Sequence, residues 1–323
     1  MAHRGSFAEQ PVRVSKLPTF RAEHFPYAGP YPWLDCDDAE AEIARRIGSG
    51  AISKTEAERC RYWADNGYVI LPGLFDDATL DAVWDAYELA IAAGKIALPD
   101  EPVGPVDPHP GRYLNPHKKC GAFCRILKHA GLLSAIRLLM EREPRPLQTI
   151  ASHKGSQQGL HSDSIHMTTY PLGYLTAAWI AFEDIHPDSG PLVFYPGSHR
   201  LPYVFSKDMG ISEEDFKRDG YAPYHAKYEP YIRKLVDERG IEPHYFHAKK
   251  GDVLIWHANL VHGGSQRRDL VYTRKAVVCH FFVKGAFVYH DLAASRSRQQ
   301  YIGTCLLRDD EGRIRLFNGR RRG

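Results

Sequence analysis

The sequence predicts a mainly β body, a sandwich or barrel, with helices flanking it. After Pro146 short β-type runs alternate with Gly, Pro, Asp and Asn turn signals. Before Pro146, apolar residues recur at helical spacing between recognisable caps. The 323 residues suffice for a large core, and β domains of this size commonly form one unit.

Residues 1–50 hold the run Phe25-Pro26-Tyr27-Ala28-Gly29-Pro30-Tyr31-Pro32-Trp33, which reads as an extended N-terminal arm draped over the body. One short helix fits 37–47. From 51 onward the catalytic body is expected to run to 323. Thr55 to Asn66 reads as a helix, capped by Ser53 or Thr55 and stopped by Gly67. Tyr68–Leu71 is a strand ended by Pro72-Gly73. Asp76 or Asp77 caps the next helix, whose stripe is Leu80, Val83, Trp84, Tyr87, Leu89 and Ile91. Residues 98–112 carry five prolines and form a loop. Phe123–Met140 has the pattern of one helix. The strands expected next are Leu147–Ser152, Leu175–Phe182, Leu192–Tyr195, Asp252–Trp256 and Lys275–Val283. The polar, aromatic-rich segment 205–246 interrupts them; an insertion of that length reads as a lid or binding surface.

Composition removes several classes. A net charge of +3 is too small to imply a nucleic-acid partner. No apolar run reaches the ~18 residues of a membrane span, and the N-terminus lacks a signal-peptide core. Cys36, Cys60, Cys120, Cys124, Cys279 and Cys305 show no paired zinc spacing, so free thiols in a reducing, cytoplasmic setting are expected. The Arg320-Arg321-Arg322 run reads as a solvated tail.

The chemistry centres on Gly159-Leu160-His161-Ser162-Asp163. On an extended strand, residues two apart share a face, so His161 and Asp163 would converge. An imidazole and a carboxylate are two parts of the 2-His-1-carboxylate set that holds non-haem Fe(II). A His-x-Asp pair is weak evidence among 17 histidines and 39 acidic residues. The third ligand must come from a distant strand, and either His257 or His262 meets that need by spacing. His262 is preferred, because Gly263-Gly264 after it allow close approach to a metal and its co-ligands, whereas His257 reads as a packed core residue. Arg274 opens an apolar strand. A buried guanidinium needs an anion, and its planar fork matches a carboxylate. That anion is an internal carboxylate in the structural reading and a dicarboxylate co-substrate in the functional one.

At these residues the chain resembles the phytanoyl-CoA dioxygenase family of Fe(II)/2-oxoglutarate oxygenases. The matching blocks are His161-x-Asp163, Ala178–Asp184, Asp188–Leu192, Pro196-Gly197-Ser198-His199-Arg200, Gly251-Asp252 with His262-Gly263, and Arg274-Lys275-Ala276; Asn66–Val69 with Pro72-Gly73 also fits. The resemblance spans about residues 60–285. It implies a double-stranded β-helix of the jelly-roll, cupin-like type with outer helices. It implies Fe(II) on His161, Asp163 and His262, and 2-oxoglutarate on Arg274, with O2 as the second co-substrate. The family's helper hydroxyl lies two residues after the distal His. Gly264 stands there in this chain, so Ser265 is its nearest substitute. Gln148 and Ser152 are further candidates for co-substrate contact, and Trp179 matches a family position near the site. The carboxylate at Asp163 favours hydroxylation over halogenation, in which related enzymes carry a small residue at that position.

The implied substrate is a small molecule that is polar, anionic or carrier-linked. Its pocket mouth is expected to use the 205–246 insertion, the arm near 25–35 and the loop Asn115–Lys119, with His153, Lys154, His166, Tyr203, Tyr224 and His225 as facing residues. Desaturation, cyclisation or epimerisation on the same iron chemistry is the rival outcome. A non-catalytic jelly-roll binding protein is a third reading.

Overall fold

A computed structural model describes residues 20–27, 29–98 and 111–291, and the backbone of two paired strands, Leu306–Arg308 and Ile314–Leu316. The first part of the arm, most of the proline-rich loop, Cys305 and the basic tail lie outside the described residues.

The helical half comes first. Helix α1 spans Ala39–Gly48 and α2 Lys54–Asn66. Ser53 caps α2 reciprocally: its hydroxyl accepts from the Glu56 N–H (3.2 Å), and the Glu56 carboxylate accepts from the Ser53 N–H (2.8 Å). Gly67 ends α2 at φ +76, and a Cβ there would lie 2.5 Å from the His199 ring. Strand β1 follows at Tyr68–Leu71 and α3 at Asp77–Ala92. Asp76 caps α3 by accepting from the Thr79 N–H (2.8 Å). Strand β2 is Arg112–Leu114. The single helix expected over Phe123–Met140 is two, α4 at Phe123–Leu127 and α5 at Ala130–Met140. His129 leaves the helical region at ψ 121, and its Nδ1 accepts from the Leu132 N–H (3.3 Å), so a new N-cap interrupts the apolar stripe.

The arm divides in two. Phe20, Phe25 and Tyr27 drape against Leu172, Tyr203 and Phe205. From Trp33 the chain is part of the body: Trp33, Leu34 and Ile43 are buried in the main core, and the Trp33 indole N–H donates to the Leu138 carbonyl (3.0 Å). Burying a tryptophan removes too much apolar surface from water for that segment to remain a loose drape.

The β half supplies β3 (Pro144–Ser152), β4 (Thr168–Tyr170), β5 (Leu175–Ala181) and β6 (Leu192–Phe194). Helices α6 (Glu213–Asp219) and α7 (Glu229–Glu238) and strand β7 (His244–Phe246) belong to the insertion. Then come β8 (Val253–His257), β9 (His262–Gly264), β10 (Ala276–Val283) and β11 (Phe287–Tyr289). The major sheet has the order β1-β8-β5-β10-β3-β2, and its pairs are antiparallel. The minor sheet is β7-β6-β9, and β4 pairs with β11. The two sheets make a double-stranded β-helix.

Alternation along the strands sorts the cores. On β5 and β8, Ala178, Ile180, Val253 and Ile255 face the helices. Their neighbours Ala177, Trp179, Leu254 and Trp256 face the minor sheet, beside Leu192 and Phe194. The insertion has its own core, in which Tyr224, Tyr228, Ile232 and Val236 pack on Leu160, Ile165 and Val261. Among the described residues, no helix is long and apolar enough to cross a membrane. The five described cysteines are buried, and none of them is in a disulfide.

Candidate active site

His161, Asp163 and His262 converge. One ligand atom from each lies within 4.8 Å of the others, and all three side chains are buried. The local geometry differs from the strand pairing expected for His-x-Asp. His161 forms a single antiparallel bridge with His262, while Asp163 opens a 3-10 turn ending at Ile165. Ser162 stays extended between them (φ −106, ψ 149), and the Asp163 carbonyl accepts from the Met167 N–H (2.8 Å). Bridge and turn together aim both side chains inward.

Hydrogen bonds orient each ligand. His161 Nδ1 lies 2.8 Å from the Gly159 carbonyl, and His262 Nδ1 lies 2.9 Å from the Leu260 carbonyl. A carbonyl only accepts, so each Nδ1 carries the proton and each Nε2 keeps its lone pair. The Asp163 oxygens divide the work. Oδ1 faces His262 Nε2 (3.6 Å) and His161 Nε2 (3.9 Å). Oδ2 accepts from the Trp256 indole N–H (2.8 Å) and lies 3.5 Å from His280 Nε2.

The protonation states suit a cation. Burial pushes His161 down to about 3, with His262 adding to the effect and Asp163 opposing it. Burial also lowers His262, against the pull of Asp163. Burial alone would raise Asp163, but His262, His280 and His161 outweigh it and hold the carboxyl far below its ordinary range. Two neutral imidazoles and one carboxylate offer three lone pairs to one point, and this donor set fits Fe(II).

Arg274 is 4% exposed in the same cavity. Its Nη1 donates to the Gly190 carbonyl (2.8 Å), while its Nε is buried without a partner. Among the described residues no carboxylate pairs with it, so the structural alternative of an internal ion pair is not met. Burial, with Arg112 and Arg267 nearby, lowers the guanidinium to about 10, so it stays charged at neutral pH. An unpaired buried guanidinium fits a carboxylate ligand.

The cavity is about 220 Å³ and lies between the two sheets. Gln148, Ser152 and Trp179 line it with the triad and Arg274. Ser265 does not: its hydroxyl donates to the Pro191 carbonyl (2.7 Å) and is committed there. Gly263 and Gly264 serve a different approach from the one expected. A Cβ on Gly263 would lie 2.8 Å from the Gln158 carbonyl oxygen, and one on Gly264 would lie 2.5 Å from the Gln157 nitrogen. The small residues thus admit the backbone that carries His161. His257 packs behind the sheet, with its Nε2 3.0 Å from Asp35.

Of the residues expected to face the mouth, His166, Tyr224 and His225 line the cavity. His153 is held by Glu88 (2.7 Å), and Tyr203 belongs to a separate cavity with Phe25 and Asp35. His117 is buried against Thr149 (2.7 Å), and Lys154 does not line the cavity. Sequence reasoning missed Arg112, Trp256, His280, Tyr221 and His290, which line it as well. His280 had a signal: it is in phase with Ala276 and Val278 on a strand of period two.

Fold and site together define a non-haem Fe(II) dioxygenase with 2-oxoglutarate as co-substrate. Comparison with known proteins agrees. The family model described as phytanoyl-CoA dioxygenase (PhyH) matches residues 63–269, and the chain belongs to that family. It is 23% identical to the human peroxisomal phytanoyl-CoA dioxygenase over 69% of this chain and 67% of that protein. The mouse and rat counterparts are matched over 34% of their length. Among solved structures, EctD from S. alaskensis with 2-oxoglutarate and 5-hydroxyectoine superposes with TM-score 0.58 at 17% identity, over 78% of this chain and 83% of that one. The carbocyclase SnoK from nogalamycin biosynthesis gives 0.56 at 18% identity, over 76% and 89%. These two likenesses concern the fold.

Proposed function

We propose that the chain hydroxylates a small polar metabolite and couples this to conversion of 2-oxoglutarate and O2 to succinate and CO2. The observation that carries the reading is a buried, carboxylate-free Arg274 in one cavity with the His161–Asp163–His262 triad. His161, Asp163 and His262 would hold Fe(II), and Arg274 would bind the distal carboxylate of 2-oxoglutarate. Bound iron with its co-substrate supplies O2 activation and removal of a substrate hydrogen.

The chain's own residues bind, orient and exclude water. Trp256 and His280 face the outer oxygen of Asp163, leaving Oδ1 toward the histidines. Gln148 and Ser152, on the strand paired with β10, would add polar contacts to the co-substrate. Trp179 forms the apolar floor, its ring 5.8 Å from the Arg274 guanidinium carbon. The names of the relatives point to small-molecule substrates for this chain as well. The buried cysteines, none of the five described ones in a disulfide, support a cytoplasmic setting.

Succinate formation with Fe(II), 2-oxoglutarate and O2 tests the reading, with His161→Ala as control. A product one oxygen heavier supports hydroxylation. Loss of two hydrogens, or no mass change, points instead to desaturation or ring closure, or to epimerisation. Absence of an anaerobic Fe(II)/2-oxoglutarate absorption band would overturn the enzyme reading.

A further inference from the structure

A second cavity lies on the other face of β8 from the triad. It is about 560 Å³, within the range that holds a small molecule. The two cavities share no described lining residue. Strand alternation makes the division. Trp256 turns its indole to Asp163, and His257, next along, turns to Asp35 (3.0 Å). The 3-10 turn Trp33–Asp35 is anchored by buried Trp33 and Leu34, so Asp35 is held where the arm meets the body.

The lining of this cavity is short of positive charge. Its two described cations are engaged at the exposed rim, Arg61 with Glu40 (2.7 Å) and Arg200 with Asp65 (2.9 Å). Asp35 and Asp37 remain, and among the described residues no Lys or Arg pairs with either. The Asp35 side chain is 15% exposed and accepts from His257 Nε2. His257 Nδ1 in turn accepts from the Asn259 N–H (3.0 Å), so the ring proton is the one given to Asp35, a hydrogen bond rather than a counter-charge. Tyr203 lines the same cavity at 3% exposure, and among the described residues its hydroxyl has no hydrogen-bond partner. Burial, followed by Asp35, pushes that hydroxyl well above its ordinary pKa, which places it near the carboxylate. The ring centroids of Phe25 and Tyr203 are 6.2 Å apart, and Tyr31 adds a third ring to the wall. Aromatic faces attract a desolvated cation. Leu34 and Ile43 make the wall apolar further in.

We propose that this cavity is a binding site for a small organic ammonium ion with an apolar body. Asp35 takes the charge, the Tyr203 hydroxyl accepts a second N–H, and the rings of Phe25, Tyr31 and Tyr203 surround the cationic head. A largely buried carboxylate without a counter-ion is costly, and the ammonium supplies that counter-ion. A bare metal ion fits less well, because among the described residues the triad is the one group of three metal-ligating side chains close enough together. An anion would lose its water and meet Asp35 and Asp37 with no cation to spare. The inference goes beyond the oxygenase reading and does not depend on it.

The test is calorimetric titration of the full, metal-free chain with benzylamine and its uncharged and anionic counterparts, benzyl alcohol and benzoate. Benzylamine is expected to bind about tenfold more tightly than the alcohol, the scale of one charge-assisted contact, and benzoate is expected not to bind. Asp35→Asn keeps the shape and an acceptor for His257. It is expected to lose about tenfold in benzylamine affinity and to hold the alcohol within about twofold. Asp163→Asn is expected to change neither, which separates this cavity from the triad. Tyr203→Phe is expected to weaken benzylamine about threefold and to leave benzyltrimethylammonium, which has no N–H, unchanged. That variant decides the question should Asp35→Asn fail to fold. The proposal is overturned by benzylamine failing to bind, by alcohol or benzoate binding as tightly, or by full affinity in Asp35→Asn. Loss of binding in Asp163→Asn, or unchanged benzylamine affinity in Tyr203→Phe, overturns it equally.

Discussion

His161 and His262 exchange both of their backbone hydrogen bonds, each N–H donating to the other's carbonyl at 2.9 Å. Residues 101 positions apart in sequence are thus fixed as one antiparallel pair, with ring centroids 4.4 Å apart. Two of the three candidate ligands are therefore paired through main chain, whereas Asp163 Oδ2 is held by the Trp256 side chain.

The first prediction concerns that bridge. Gly263→Ala places a methyl 2.8 Å from the Gln158 carbonyl oxygen, a backbone atom that must move. Fe(II) affinity is expected to fall about tenfold through displacement of His161, within the range for altered support of metal ligands. Anaerobic Fe(II) titration checks it, with circular dichroism confirming an unchanged fold.

Arg274→Gln removes the fixed charge while keeping hydrogen-bonding capacity. The KM for 2-oxoglutarate is expected to rise 10–100-fold, on the order of a charge-assisted bidentate contact. Fe(II) binding without 2-oxoglutarate should change less than twofold. Comparing the two titrations separates loss of the co-substrate site from damage to the fold.

Trp256→Phe deletes the indole donor to Asp163 Oδ2 and keeps an aromatic ring in the core. A hydrogen bond to a charged group contributes about 1.5–3 kcal/mol. Fe(II) should bind roughly 10–100-fold more weakly, and the melting temperature of the metal-free protein should fall by only a few degrees.

His117 makes stability depend on pH. It is fully buried beside Thr149, and burial, with Lys118 adding to it, lowers it to about 4 from 6.5. The unfolded chain binds this proton more tightly than the folded one. The full contribution is therefore present above pH 6.5 and is lost as pH falls toward 4. Between pH 7 and pH 5 the wild type should lose about 2 kcal/mol more than His117→Asn, measured by urea unfolding.

Much of the architecture was legible because local rules and tertiary packing agree. Ser53, Gly67 and Asp76 act at the ends the sequence assigned to them. The runs at β3, β5, β8 and β10 are strands with ends shifted by one to three residues. The break at His129 was not legible, since a cap inside a continuous apolar stripe leaves no periodicity signal. Nor was the fate of Ser265, whose hydroxyl is claimed by a carbonyl 74 residues away. His-x-Asp and the distal His stand out as motifs, whereas Trp256 and His280 resemble ordinary strand residues until the sheet register sets them beside Asp163. The role of the glycines was misjudged for a related reason: sequence indicates where space is needed, but not which neighbour fills it.

The π-helical turn Tyr224–Tyr228 sets Tyr224 and His225 into the cavity wall, and the same turn carries Tyr228, whose hydroxyl lies 3.4 Å from Ser162 N and 3.3 Å from Ser162 Oγ. Ser162 separates the two ligands contributed by the first motif. A segment that lines the cavity is thereby tethered to the residue between two of the candidate ligands. Grafting this segment from a relative to retune specificity would tug on the iron pocket too, so chimaeras should be screened for metal loading before any change in preference is credited to the graft.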